Sequence, residues 1–112
     1  MISLANMKDR ATVKRPKSGK PGAAHDYDTM YTDRPCRLIA ETVSSTASGF
    51  GRMSTGRWAM LFQSGTDIRP NDRLVVKSWS KTEKAYTLAG IYDVESALKL
   101  AEHTEVVAVE RG

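Results

Sequence analysis

Residues 57–94 constrain the fold of this chain more than any other stretch. In RWAMLFQ (residues 57–63) Trp58, Met60 and Phe62 recur at every second position and share one face of an extended segment. SGTDIRPND (64–72) is dense in turn formers. Gly65 tolerates positive φ, Pro70 fixes its own φ, and Asn71 and Asp72 can bond nearby backbone. RLVVKSW (73–79) is extended again, and after a short polar break KAYTLAGIYDV (84–94) makes a third run. A hairpin followed by a third strand is the nucleus of a small antiparallel sheet. Leu74 and Val76 take one face and Val75 and Trp79 the other. Apolar residues on both faces imply a strand wrapped into a barrel or covered by a neighbouring subunit.

The flanks extend this nucleus. In DRATVKR (9–15) Ala11 and Val13 point one way and Arg10, Thr12 and Lys14 the other, a short half-buried strand whose charged outer face suits a sheet edge. Pro16 ends it, and residues 16–28, with two prolines and two glycines, are a loop. Strand character resumes over 29–41, where Cys36, Leu38 and Ala40 share a face and Pro35 marks a start, a bulge or an edge. Residues 42–56 hold three glycines and seven Ser or Thr, so a long loop is expected: either a linker or an arm that orders against a partner. ESALKLAEH (95–103) is rich in helix formers and is compatible with one or two helical turns, and residues 104–110 close the chain as a strand.

The expected fold is therefore mainly β: a small antiparallel barrel or sandwich of five to six strands, with one long inter-strand loop and room for one short helix. At 112 residues the chain is expected to be a single domain, 1–112, with a loose N-terminal segment 1–8. Trp58, Met60 and Phe62 are expected in the core with Val13, Leu38 and Leu88. No apolar run is long enough for a signal peptide or a membrane span, and the lone Cys36 suits a reducing compartment without proving it.

Catalytic chemistry is not legible. His25 and His103 sit in unrelated contexts, and His25, Asp26 and Asp28 make a poor metal set on a loop without a second His. Cys36 reads as a small core residue. The G-F-G-R core of the long loop lacks both the P-loop Lys-Ser/Thr ending and the G-x-G-x-x-G spacing. No enzymatic activity, cofactor or metal is expected. The net charge of +4 is compatible with plain solvation or with an anionic partner. An OB-like or SH3-like barrel that binds nucleic acid as a monomer is one such reading. Trp58, Phe62, Trp79, Tyr86 and Tyr92 are the aromatics available for stacking, though alternating aromatics more often fill a core.

The order of elements also resembles a known family. MKDRATVKRP leads through His25-Asp26-Tyr27-Asp28 to a strand ending Leu38-Ile39-Ala40-Glu41. A variable loop and an extended segment follow, then a turn ending Ile68-Arg69-Pro70-Asn71-Asp72-Arg73-Leu74. The chain returns through Tyr86-Thr87-Leu88-Ala89-Gly90-Ile91-Tyr92-Asp93-Val94. Over residues 7–94 this is similar to the head–tail joining, or head-completion (stopper), proteins of tailed bacteriophages. Where those proteins often have a Gly-Asp-Arg-like step, this chain has Asn71-Asp72-Arg73, and Asn can supply the same positive φ. Where a Trp is common, it has Asp33-Arg34-Pro35.

The resemblance implies a virion protein, made in the host cytoplasm, that forms a homo-oligomeric ring in the phage neck. A portal or adaptor protein would lie above it and a tail terminator or tail-completion protein below. The ring would close the DNA channel after packaging and offer a tail-docking surface, with non-specific contact to packaged DNA and no membrane. It also implies two groups of site residues. Ser48, Gly49, Phe50, Gly51, Arg52 and Met53 would meet the channel or a partner, and Lys14, Arg15, Lys17, Lys20 and Arg52 would lie near DNA.

Overall fold

Six runs of two-residue alternation become six strands in the computed structural model, which describes residues 7–17, 27–45 and 52–111. They are β1 (Asp9–Pro16), β2 (Tyr27–Ser45), β3 (Arg52–Gln63), β4 (Arg73–Ser80), β5 (Ala85–Lys99) and β6 (His103–Glu110). Every pairing is antiparallel, and the strands close into a barrel in the order β1-β2-β3-β6-β5-β4. Closure gives β1 two neighbours, β2 and β4, so the edge expected for it does not exist. Its outer side chains, Arg10, Thr12 and Lys14, are half-buried, with Arg10 against the Tyr86 ring.

Inward-facing positions fill the barrel. Ala11, Val13, Cys36, Met60, Phe62, Leu74, Val76, Tyr92, Val94, Val106 and Ala108 are buried in one cluster, with Ile68 of the β3–β4 turn closing one end. Trp58 and Leu38 pack against this cluster from half-buried positions. Met7 is also buried, so the loose segment expected over 1–8 is anchored at its seventh residue. Gly90 leaves room for a neighbour two residues on: a Cβ there would lie 2.8 Å from the Tyr92 hydroxyl oxygen and 3.0 Å from its ring.

Bulges bend the sheet enough to close it and decide which side chains face in. One lies opposite Thr12, where Asp33 adopts φ 49° and its amide donates to Thr12 Oγ1 at 3.4 Å. Another lies between the Val76–Gly90 and Lys77–Leu88 pairs, where Ala89 is extra. An extra residue reverses the facing of everything beyond it. Leu88, expected in the core, is consequently 61% exposed, on the outer surface opposite Lys77.

Two further expectations are corrected. Residues 95–99 are not helical: β5 runs on to Lys99 and pairs Ser96, Ala97, Leu98 and Lys99 with Val107, Val106, Glu105 and Thr104. A stretch this short cannot hold a helix on propensity alone, and the β-branched edge of β6 offers it backbone partners instead. No described residue is helical. The long loop over 42–56 is likewise mostly strand, because β2 continues to Ser45 and β3 begins at Arg52. Only residues 46–51 lie between them, outside the described residues.

Candidate interaction surfaces

The β3–β4 turn is the most heavily bonded irregular segment. Gly65 and Asn71 hold φ 82° and 74°, the second as its sequence context suggests. Asp72, 1% exposed, accepts Arg15 Nε and Nη2 at 3.0 Å each and the Arg69 amide at 2.9 Å. Thr66 Oγ1 accepts Arg34 Nε at 3.1 Å, and its carbonyl accepts the Thr104 hydroxyl at 3.2 Å. The Asp67 amide donates to the Tyr31 hydroxyl at 3.0 Å, with the Arg34 guanidinium over the Tyr31 ring. The Asp72 hydrogen bond raises the Arg15 pKa. Partial desolvation pushes the Asp67 carboxyl up, but the bond and charge of Arg69, with Lys99 and Arg15, outweigh it and hold the group below its ordinary value. These bonds tie the turn to four other strands, so it acts as a fixed lid on one barrel end rather than as a reactive site.

That network changes the meaning of the DNA-proximal residues. Arg15 is committed to Asp72 and also lies 3.7 Å from Asp67. Lys17 is exposed, 3.9 Å from Asp28. Lys14 is half-buried, opposite Arg73 and Thr29. Lys20 lies outside the described residues. Arg52 is paired with Ser45, at the far end of β2 from the Tyr27 end that borders Arg15 and Lys17. Among the described residues Arg52 is therefore separated along β2 from Lys14, Arg15 and Lys17. Of the channel-loop candidates, Arg52 and Met53 open β3, whereas Ser48, Gly49, Phe50 and Gly51 lie outside the described residues.

Beyond the barrel wall β2 and β3 continue as a two-stranded ribbon. β1 pairs with β2 only as far as Cys36, and β6 pairs with β3 only as far as Arg57. Val43, Ser44 and Ser45 pair with Ser54, Met53 and Arg52, and the register gives these residues no other strand. The base of the ribbon is marked by a slip between Thr42 and Val43 and by Gly56 at φ 69°. Glycine is suited to this position because a Cβ resists that conformation.

A second surface was read largely as core from the sequence. Trp79 and Tyr86 pair across β4 and β5 on the outer face, 50% and 39% exposed, with ring centroids 5.3 Å apart at 73°. Leu88 continues the patch, and the Arg10 guanidinium lies 5.4 Å from the Tyr86 ring centre. Lys77, beside Leu88, and Lys81 and Lys84, in the following turn, make the surroundings basic. By contrast Phe62 and Tyr92 are core residues, and Trp58 packs edge-on to Tyr92 at 6.2 Å. Its Nε1 is buried without a hydrogen-bond partner among the described residues. Trp79 faces out by plain alternation from Leu74 and Val76, whereas Tyr86 is separated from Tyr92 by the Ala89 bulge, which no local pattern discloses.

Catalytic features are weak among the described residues. Burial pushes the Cys36 thiol up to about 12, which makes it a poor nucleophile. His103 Nε2 lies 3.1 Å from Glu105, and no group of three metal-ligating side chains occurs among the described residues. A half-open hollow of ≈ 270 Å³ is lined by Lys8, Asp9, Arg37 and Leu38. Asp9 there already accepts the Leu38 amide at 2.9 Å and the Ser78 hydroxyl at 2.8 Å. Compared with known proteins, the chain matches no family model, no curated protein and no solved structure.

Proposed function

We propose that this chain is a structural subunit of a tailed-bacteriophage neck. It forms a ring below the portal or its adaptor, closes the DNA channel after packaging and presents a surface for the tail. The observation that carries this reading is the β2–β3 ribbon, which leaves the barrel wall and, among the described residues, has strand partners only within itself. A paired ribbon gives a small barrel an arm that can reach a neighbour while the core stays intact. The element order set out above supplies the family, and the outward-facing apolar side chains supply surfaces that an assembly would cover. The role needs no catalysis.

The test is reconstitution. The chain mixed with a portal–adaptor complex should sediment with it and add a ring visible by electron microscopy. A variant in which residues 43–54 are replaced by a tight turn should keep its fold and fail to add. Absence of a ring with the parent chain would overturn the reading. The exposed Trp79–Tyr86 pair favours a second reading, a monomeric nucleic-acid-binding barrel of OB or SH3 type. Tight monomeric binding to single-stranded oligonucleotide, lost in Trp79→Ala, would establish that alternative.

A further inference from the structure

Two outer surfaces at opposite ends of β5 have complementary character. At its start, Trp79, Tyr86 and Leu88 form an apolar patch, with Arg10 against Tyr86 and the turn Lys81-Thr82-Glu83-Lys84 beside it, two cations to one carboxylate. Near its end Leu98 and Leu100 are 56% and 40% exposed, and the nearby acidic side chains are Glu102 and Glu105, the second 3.1 Å from His103 Nε2. Leu98 faces Glu105 directly across the β5–β6 pair. The cation between the two leucines, Lys99, is already 3.7 Å from Asp67. One end is thus apolar and basic, the other apolar and acidic.

We infer that these two faces are the two halves of one head-to-tail contact between copies of this chain, the occupant of each being the other face of the next copy. The inference rests on the ring reading above and deepens it by naming the surfaces through which subunits meet. Charge decides the pairing. The basic patch placed against itself would set Arg10, Lys81 and Lys84 opposite their own copies, whereas against the acidic end they meet Glu102 and Glu105. Separation decides the geometry. Leu88 and Leu98 are at most about 33 Å apart along β5, at ~3.3 Å per residue. That is comparable with the molecular extents of 43 × 36 × 34 Å. The two faces use different side chains at opposite ends of β5, so one copy presents both at once. A contact between two different faces repeats, closing into a ring when the rotation allows and otherwise growing as a filament.

The experiment uses the whole chain and two variants, Leu88→Asp and Leu98→Asp. Both positions are exposed, so each variant should keep the parent's near-UV circular dichroism and thermal midpoint. Sedimentation velocity over increasing concentration should show the parent growing past a dimer, and the growth should weaken at high salt. Each variant alone should remain monomeric where the parent assembles, its association weakened about tenfold or more. An equimolar mixture should form a heterodimer and stop there, because each variant retains one intact face. A parent that is monomeric up to its solubility limit, or variants that assemble like the parent, would overturn the proposal. So would a mixture that stays monomeric, or variants that each dimerise alone, the second of which would mean that each face pairs with its own kind. If single-stranded oligonucleotide binds the monomer tightly at physiological salt and Trp79→Ala abolishes it, the patch belongs to nucleic acid and the proposal falls. Rings that still form on a portal–adaptor complex with both variants would remove these faces while leaving the neck reading standing.

Discussion

At Asp72 a carboxylate that is 1% exposed takes two bonds from Arg15 and one from the Arg69 amide. Its removal strips a mostly buried guanidinium of its two closest bonds, leaving it only the longer contacts to Asp67, and frees the β3–β4 turn. Asp72→Ala should cost about 3–5 kcal/mol, read as a lower urea midpoint with an unchanged slope. If the double variant with Arg15→Met is no more stable than Asp72→Ala alone, the cost does not come from the stranded charge. Phe62, fully buried, belongs to the same scale: Phe62→Ala should cost about 3–5 kcal/mol through lost transfer energy and the cavity left behind. An unchanged denaturation midpoint would show that Phe62 does not pack in the core. Cys36 sets a pH dependence. Its thiol ionises at about 12 when folded, against an ordinary value of 9.0, because burial penalises the thiolate and Asp9 adds to the effect. The folded-state value is the higher one, so the stabilisation is complete below 9.0 and is lost as pH rises toward about 12. Unfolding free energies of the parent and Cys36→Ala should run parallel below that window and converge within it. Parallel curves throughout would show that the thiol contributes no pH dependence.

At the scale of elements, β2 and β3 do two jobs at different stabilities. Arg57 to Phe62 are paired on both sides, with β2 and with β6, whereas Arg52, Met53 and Ser54 are paired on one side only. Backbone bonds with a single neighbour open at lower free energy than those inside a closed sheet. Amide exchange in the free chain should therefore be faster at residues 52–54 than at residues 58–62, and should slow at 52–54 on assembly. Equal protection before and after assembly would remove the ribbon from the interface. The β5 strand makes the same point differently. Its bulges at Ala89 and Glu95 turn successive segments, so one strand contributes Tyr92 and Val94 to the core and Leu88 and Leu98 to the outside. Bulges here do more than close the barrel, because they sort apolar residues between packing and display.

For the whole molecule, a net charge of +4 spread over a closed barrel is a weak electrostatic handle. Arg15 is neutralised internally by Asp72, and Lys17 lies near Asp28, which among the described residues leaves Arg10, Lys77, Lys81 and Lys84 near Trp79 as the main group of cations. The monomer, held below its association range, should bind duplex DNA weakly and without sequence preference. The salt slope should correspond to only a few phosphates, at about −0.9 per phosphate neutralised. A ring would multiply these weak contacts around one channel without new chemistry. Fluorescence anisotropy across a salt series checks this: a steep slope with tight monomer binding would mean that the charge serves a dedicated nucleic-acid site.

The sequence by itself determined the β class, the approximate place of all six strands, and the core role of Val13, Met60 and Phe62. These follow from side-chain alternation and turn chemistry, which act over neighbouring residues. The positive φ of Asn71 and the quiet burial of Cys36 were legible for the same reason. Only the tertiary structure decided what depends on partners distant in sequence. Closure removed the edge at β1, and β6 drew residues 95–99 out of a helical reading by offering them a hydrogen-bonding edge. The pairing of β2 with β3 made a ribbon of most of a segment whose Ser, Thr and Gly content reads as loop. Arg15 and Asp72 meet across 57 residues with no local mark of the encounter. The facing of Leu88 and Tyr86 was decided by one extra residue at Ala89, which brings them out beside Trp79. A single inserted residue reverses a period-two pattern, and whether it is accommodated as a bulge is settled by the strand beside it.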